Sequence, residues 1–422
     1  MIQHNFLPGK ISKCQICSSK NLIKIIDLGD QPLANSLQKK TKEKYNQEKF
    51  PITVVRCEDC TLLQIDYIVD QNKVYHLDYP YLPGITKTVD NEQKELSDYL
   101  FENLELKKND TVLDIGSNDG SLLKHFRAKG LNTVGVEPTN IAKLANDNGI
   151  FTLQSFFNLE TVKNIISNKG KAKLITSTNV FAHMSTLGDV MDGIVEAMDD
   201  DGYFCFENHY IMEVIEKVQY DTFYHEHLRT YSLISLIKLF EMYDLTLYHA
   251  QLVTRYGGSI RAIVSKKKMD QTESLKKLLE IENEKLVKNK EKTYKDFVQN
   301  INQSKDDLIK KLSEIKSKNL TVIGKSCPAR AVVLLNYCNL DENNLDFIAE
   351  QATSLKLNYY IPGTNLEIVN DDILLDKNPD YVLLLAWHLS EPIIEKWKKK
   401  GLKSKFIIPL PKVRIIWTKN FI

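Results

Sequence analysis

At 422 residues the chain exceeds the roughly 250 to 300 residues at which a single hydrophobic core stops growing, so two or three domains are expected. Its 43% hydrophobic and 26% charged residues are ordinary for a soluble globular protein, and a formal net charge of +1 supplies no global field for nucleic acid or an anionic membrane. No apolar run reaches the ~18 residues of a membrane span, and the N-terminus lacks a basic stretch followed by an apolar one, so a cytoplasmic protein without nucleic-acid or membrane partners is expected.

The first feature in chain order is a pair of C-x-x-C knuckles, Cys14 with Cys17 and Cys57 with Cys60. In a reducing cytosol such pairs favour tetrahedral zinc, four thiolates replacing the core that a small module cannot build. The long gap between the knuckles exceeds the usual ribbon spacing, and a redox C-x-x-C or coincidence are the competing readings. Cys205, Cys327 and Cys338, scattered among apolar neighbours, read as small buried hydrophobes. The aromatic stretch VYHLDYPYLPGIT (residues 74–86), punctuated by Pro80, Pro83 and Gly84, reads as a loop whose tyrosines either line a pocket or pack one module on the next.

From residue 90 onward helical and strand-like apolar runs alternate. NEQKELSDYLFENLEL spaces its apolar residues for one helix face, TVLDIGSNDG ends a strand in a glycine-containing turn, and SLLKHFRAKG restarts a helix closed by Gly130. NTVGVEPT, AKLITSTNVFAHM and GYFCFENHYI supply further strands, and such alternation implies an α/β fold with a mainly parallel sheet. Residues 266–319 contain neither Pro nor Gly and read as one or two long solvated helices rather than a polybasic arm, since acids cancel most of the charge. In the last hundred residues LTVIGKSCPARAVVLLNYC, LDFIAE, DYVLLLAWH and KFIIPLP begin a second α/β series.

The turn D-x-G-x-x-x-G places Asp114 in a strand end, with Gly116 and Gly120 flanking Asn118. It lacks the G-x-G-x-x-G that holds a pyrophosphate on a helix N-terminus. One strand later Glu137 can accept both hydroxyls of a ribose, and after the next strand Gln154, Ser155 and Phe156 are placed to meet an adenine. A ribose and a cation without phosphate describe S-adenosylmethionine; an unliganded glycine turn is the plainer reading.

DTFYHEHLRTYS (residues 221–232) sets phenol, imidazole and carboxylate side by side: Tyr224, His225, Glu226 and His227. Imidazole titrates near neutrality and can take a proton from a carbon acid, a carboxylate can fix its tautomer, and a tyrosine can stabilise an oxyanion. His183, after the TNVFAHM strand, can join the same sheet edge. An H-x-H metal site, a solvated loop, and a core role for His183 are the alternatives weighed.

CQIC, CEDC, LGDQPLAN, VLDIGSNDGSLL, GVEPT, TNVFAHM, YDTFYHEHLRTYSL, YGGSIR, YIPGT, PDYVLLLAWH and FIIPLP, in this order, resemble the zinc-containing sugar C-methyltransferases that act on nucleotide-linked 4-keto deoxysugars. The resemblance implies a zinc-binding module (1–73), a class I S-adenosylmethionine-dependent methyltransferase domain of Rossmann-like fold (74–265), charged linker helices (266–319), and a second small Rossmann-like α/β domain (320–422) that helps bind the nucleotide sugar. It implies zinc on Cys14, Cys17, Cys57 and Cys60. S-adenosylmethionine falls on Asp114, Gly116, Asn118, Gly120, Glu137, Gln154, Ser155 and Phe156. His227 matches the general base, with Tyr224, Glu226 and His183 assisting, and Tyr79, Tyr81, Asn179, His225 and Lys325 are substrate contacts. YPYLPGIT stands where many relatives have a serine-rich segment, and GKSCPAR where they have a glycine-alanine-lysine turn. Methyl transfer to oxygen or nitrogen, or a non-catalytic binding role, are the rival functions, and a monomer is compatible with the sequence.

Overall fold

The apolar run TVLDI forms β1 (Thr111–Ile115), buried at every position as a central parallel strand must be. It sits in a sheet with β2 (Asn132–Val136), β3 (Thr152–Leu153), β4 (Ala172–Thr178), β5 (Met198–His209), β6 (Thr246–Val253) and β7 (Ser259–Ser265), in the order 3-2-1-4-5-7-6. Strands β1 to β5 pair in parallel and β7 runs antiparallel to both neighbours. The strand order reverses between β1 and β4, and ligands of open α/β sheets collect in the crevice such a reversal opens. This computed structural model describes residues 5–39, 47–75 and 87–417.

The predicted helix before β1 spans Lys87–Asn103. It stops short of the expected Leu106 because Glu105 adopts φ +49°. The β6–β7 hairpin was not anticipated from the sequence. Its second strand is wholly buried yet carries Arg261, whose charge is met by the fully buried Glu207 at 2.7 Å and by Glu95 at 3.0 Å. A pattern read for apolar runs passes over a strand whose burial depends on an ion-pair network.

Around the cysteines a four-stranded antiparallel sheet forms from Leu22–Pro32, Lys49–Cys57, Leu63–Ile65 and the two residues Arg229–Thr230. The last of these lies two residues beyond His227, so the segment after YHEH is an edge strand of the cysteine module, pairing Arg229 with Gln64 and Thr230 with Leu63.

The charged segment 266–319 forms helices Glu273–Glu282 and Lys290–Lys316, joined by a π-helical stretch over Asn283–Lys288. The expectation of solvated helices holds for one face only. Tyr294, Phe297, Ile301, Leu308, Leu312 and Ile315 recur at helical spacing and are buried, each such side chain contributing about 1.5 to 3 kcal/mol of burial energy.

A second sheet follows: β8 (Val322–Lys325), β9 (Ile348–Glu350), β10 (Ile368–Asn370), β11 (Tyr381–Leu384), β12 (Lys405–Ile408) and β13 (Arg414–Trp417), in the order 10-9-8-11-12-13. It too reverses beside its first strand, between β8 and β11. One contiguous apolar core runs from Ile16 and Leu63 through Phe181 and Phe206 to Leu334 and Leu383. No helix among the described residues is long and apolar enough to cross a membrane.

Candidate active site

The carboxyl ends of β1, β4 and β5 open into a cavity of about 630 Å³, which the carboxyl end of β8 and residues Asn35 and Tyr75 of the N-terminal part also line. At its floor Asp114 is 3% exposed and accepts one hydrogen bond, from Thr176 Oγ1 at 2.7 Å. Burial with so little compensation pushes its carboxyl up to about 7. Gly116 turns the chain at φ +71°, where a Cβ would lie 2.6 Å from Val180 Cγ2, so only glycine lets the backbone pass here. Glu137 is 6% exposed and is oriented by the amides of Asn118 (3.1 Å) and Thr139 (3.0 Å) and by Thr139 Oγ1 (2.7 Å), which still leaves acceptor capacity for hydroxyls. Phe156 lines the cavity nearby. A buried carboxyl awaiting a positive group, a second with spare acceptors, and an aromatic wall fit an amino acid, a ribose and an adenine respectively.

Two residues expected beside that adenine stand elsewhere. Gln154 is exposed and donates to Asn140 Oδ1, while Ser155 bonds to Thr161 and the Phe156 carbonyl, and neither lines the cavity. Strand β3 is a two-residue strand at the edge of the sheet, and beyond it these two side chains are taken up by Asn140 and Thr161, while the next residue, Phe156, lines the cavity. Gly120, at φ +76°, also lies outside the lining and serves instead as a left-handed cap where a Cβ would meet Ile150 at 3.0 Å.

The YHEH segment lines the same cavity. Tyr224, Glu226 and His227 line the cavity together with His183, whose ring centroid lies 4.8 Å from that of His227; the Tyr224 ring lies at 4.0 Å. His227 Nδ1 donates to the Thr222 carbonyl at 2.8 Å, which fixes the tautomer and leaves Nε2 with its lone pair. The sequence reading gave that tautomer-fixing role to a carboxylate; the backbone of the same loop fills it, and Glu226 accepts from Asn35 Nδ2 at 2.6 Å. Burial holds His227 well below the ordinary imidazole value, and it takes His183 down to about 3, so both rings are neutral at the cell's pH. Burial likewise holds the Tyr224 phenol well above its usual value, in its donor form.

His225, expected to contact substrate, is turned away: Nε2 meets the Phe50 carbonyl at 3.1 Å and its ring packs edge-on against Phe50. Asn179 does line the cavity, in a left-handed conformation (φ +58°), with a buried Oδ1 that has no hydrogen-bond partner among the described residues. Lys325 lines it too, its ammonium paired with Asp371 at 3.1 Å, both side chains buried. Tyr79 and Tyr81 lie outside the described residues.

Three groups in or behind the site escaped the sequence reading, of which only the first lines the cavity. His209 closes β5 with its ring 4.7 Å from that of His227, and its signal was the one used for His183, a histidine ending a strand candidate. Asp221 is fully buried and is gripped by Arg330 through Nε (2.8 Å) and Nη2 (2.6 Å) and by Trp387 Nε1 (2.8 Å). Gln15, between the first two cysteines, donates to the Leu228 carbonyl at 3.2 Å and accepts from Arg229 at 2.7 Å. Thus the loop bearing His227 is fastened to the C-terminal sheet region on one side and to the cysteine module on the other.

The four cysteine sulfurs lie within 4.8 Å of one another, with Cys14–Cys60 at 3.4 Å and Cys17–Cys57 at 3.5 Å. Four thiolates at ~2.3 Å from one tetrahedral zinc stand about 3.8 Å apart, so the cluster fits that ion, and its closed Cys₄ set gives zinc a structural role. It is the single converging metal-ligand group among the described residues, and the histidines of the cavity form no such set.

Family models match in succession: a zinc binding domain over residues 14–75, a methyltransferase domain over 89–250, and a C-methyltransferase C-terminal domain over 254–411. The C-methyltransferase NovU of Streptomyces niveus is 28% identical over 411 residues, 96% of this chain and 97% of that protein. The chain is an S-adenosylmethionine-dependent methyltransferase. The methyltransferase also resembles the zinc-containing sugar C-methyltransferases along nearly its whole length. Among solved structures it is similar to an S-adenosylmethionine-dependent methyltransferase from Clostridium acetobutylicum (TM-score 0.34, 14% identity, 42% of this chain and 92% of that one). A second is the PH0226 protein from Pyrococcus horikoshii (TM-score 0.35, 12% identity, 47% and 100%).

Proposed function

We propose that the methyltransferase acts on carbon, methylating C3 of a nucleotide-linked 4-keto deoxysugar after forming its enolate. One observation carries this reading: an imidazole whose Nδ1 is committed to a carbonyl presents a neutral Nε2 to a cavity shared with the Asp114–Gly116 turn. A hydroxyl or amine acceptor needs little more than a nearby base, whereas a ketone-activated C–H needs a base and an oxyanion donor together. His227 Nε2 takes the C3 proton, and Tyr224, with its phenol held protonated, donates to the enolate oxygen, with His183 also in contact with the base. Glu226 and Asn35 hold the loop. S-adenosylmethionine, when bound by Asp114, Gly116, Asn118, Glu137 and Phe156, supplies the sulfonium methyl. Asn179 Oδ1, without a partner among the described residues, is a substrate acceptor, and the β8 end with Lys325 faces the nucleotide portion.

The test is to incubate the protein with labelled S-adenosylmethionine and a panel of 4-keto nucleotide sugars carrying deuterium at C3. Expected is a branched sugar that keeps its methyl through hydrolysis and has lost the deuterium. His227→Ala should lower turnover by about 10² to 10⁴, with cofactor affinity unchanged by calorimetry. A methylated product that keeps the deuterium overturns the scheme.

A further inference from the structure

His227 is one of three imidazoles in contact. His209 lies 4.7 Å from it, ring centroid to ring centroid, at 47°, and His183 lies 4.8 Å from it at 49°. All three line the cavity. Among the described residues the ring nitrogens of half-buried His209 and His183 have no hydrogen-bond partner, whereas Nδ1 of His227 is tied to Thr222. The tie has a consequence for turnover. A carbonyl oxygen accepts but cannot take up a proton, and the Thr222 hydroxyl, 3.1 Å from Nδ1, is far too weak a base to hold one, so Nδ1 offers no resting place for a proton received on Nε2. It must pass to a neighbour, directly or through one water, before the base can act again.

The two flanking rings stand in different surroundings. His183 stacks toward Tyr75 on the side of the N-terminal part. His209 faces Tyr256, at 6.3 Å, on the side of the C-terminal part. There Arg330 spans the Tyr256 carbonyl, Asp221 and His388, with His388 Nδ1 at 3.5 Å, and both Arg330 and His388 line the cavity. Burial and then the cationic Arg330 disfavour a proton resting on His209, as burial and Arg229 do on His183, so either ring hands a proton on rather than storing it, and it is the position of His209 beside the Tyr256–Arg330–His388 group that distinguishes it.

The geometry assigns His209 as the proton relay of the site, receiving the proton from His227 and releasing it to solvent on the C-terminal side of the cavity. This rests on the carbon-methylation reading above. The balance closes without another reactant. The C3–H bond breaks and its electron pair passes through the enolate into the new C–C bond, the sulfonium becomes a thioether, and one proton per methyl leaves by way of His227 and His209.

The experiment uses the full-length protein with uridine- and thymidine-diphosphate 4-keto-6-deoxyglucose deuterated at C3. With S-adenosylhomocysteine in place of the methyl donor, the wild-type protein should exchange that deuterium with solvent. His209→Gln should slow exchange at least tenfold, because the deuteron captured by His227 returns to carbon, while single-turnover methylation falls much less than steady-state turnover. In His209→Ala, added imidazole should restore steady-state turnover, and unchanged cofactor affinity by calorimetry reports that both variants are folded; His209→Asn replaces either that is not. Exchange and steady-state rates within twofold of wild type in a folded variant overturn the relay. A wild-type product that retains its deuterium overturns the carbon-methylation reading instead, so the two failures are distinguishable.

Discussion

Replacing Arg330 with methionine isolates the link between the C-terminal region and the base. Asp221 is 0% exposed and its carboxylate has three donors, two from Arg330 at 2.8 and 2.6 Å and one from Trp387 Nε1 at 2.8 Å. Arg330→Met keeps most of the aliphatic stem but strands the carboxylate on a single indole N–H. Removing one partner of a buried pair costs about 3 to 5 kcal/mol, because the remaining charge stays desolvated. Asp221→Asn keeps the shape and part of the bonding and should cost about 1 to 3 kcal/mol. Asp221→Leu combined with Arg330→Met removes both charges and should recover most of the loss. Urea titration followed by tryptophan fluorescence measures this, comparing midpoints of the same transition, since a chain of several sheets need not unfold in two states. Thr222, whose carbonyl fixes His227, is the next residue after Asp221, so Arg330→Met should also depress turnover more than cofactor affinity. A loss below about 1 kcal/mol, or a double variant no better than the worse single one, refutes the reasoning.

Three further outcomes follow from the same geometry. Asp114, raised by burial to about 7, holds a proton in the folded apo protein that the unfolded chain loses near the ordinary value of about 3.9; its contribution to stability should therefore fall as pH rises between about 4 and 7, and vanish as a slope in Asp114→Asn. A cationic ligand favours the ionised form, so cofactor affinity measured by calorimetry should weaken below about pH 7, approaching tenfold per pH unit, with proton release on binding. Zinc analysis should give about one ion per chain, and chelation, or Gln15→Ala in milder form, should lower turnover while cofactor affinity changes by less than tenfold, because the cysteine module grips Leu228 and Arg229 and not the glycine turn. Gly116→Ala should weaken cofactor binding at least tenfold in a filter or calorimetric assay, since its Cβ enters Val180 at φ +71°; Val180→Ala should relieve the clash but not the backbone strain.

Local signals carried far in this chain. Strands β1, β2, β4 and β5 were legible because central parallel strands are apolar on both faces, and the Asp114 turn because a positive φ beside a close contact admits only glycine. The helix Lys290–Lys316 was legible as a helix but not as a packed one, since its buried stripe is diluted by charge over the rest of its surface. Gln154 and Ser155 stand outside the cavity that Phe156 lines because their side chains are spent on Asn140 and Thr161, and no pattern in the sequence announces such pairings.

The sequence by itself determined the chemistry available: four thiols in two knuckles, a glycine turn with a strand-end acid, and phenol, carboxylate and imidazole in one loop. Only the tertiary structure decided how those groups are used. It turned His225 toward Phe50 and His227 toward the cavity, gave the tautomer of His227 to a backbone carbonyl, and brought His209 and Arg330 beside it. The reason is physical: hydrogen bonds and ion pairs between residues such as Asp221 and Arg330, or Gln15 and Arg229, leave no periodicity in the chain, because each is fixed by where distant sheets meet.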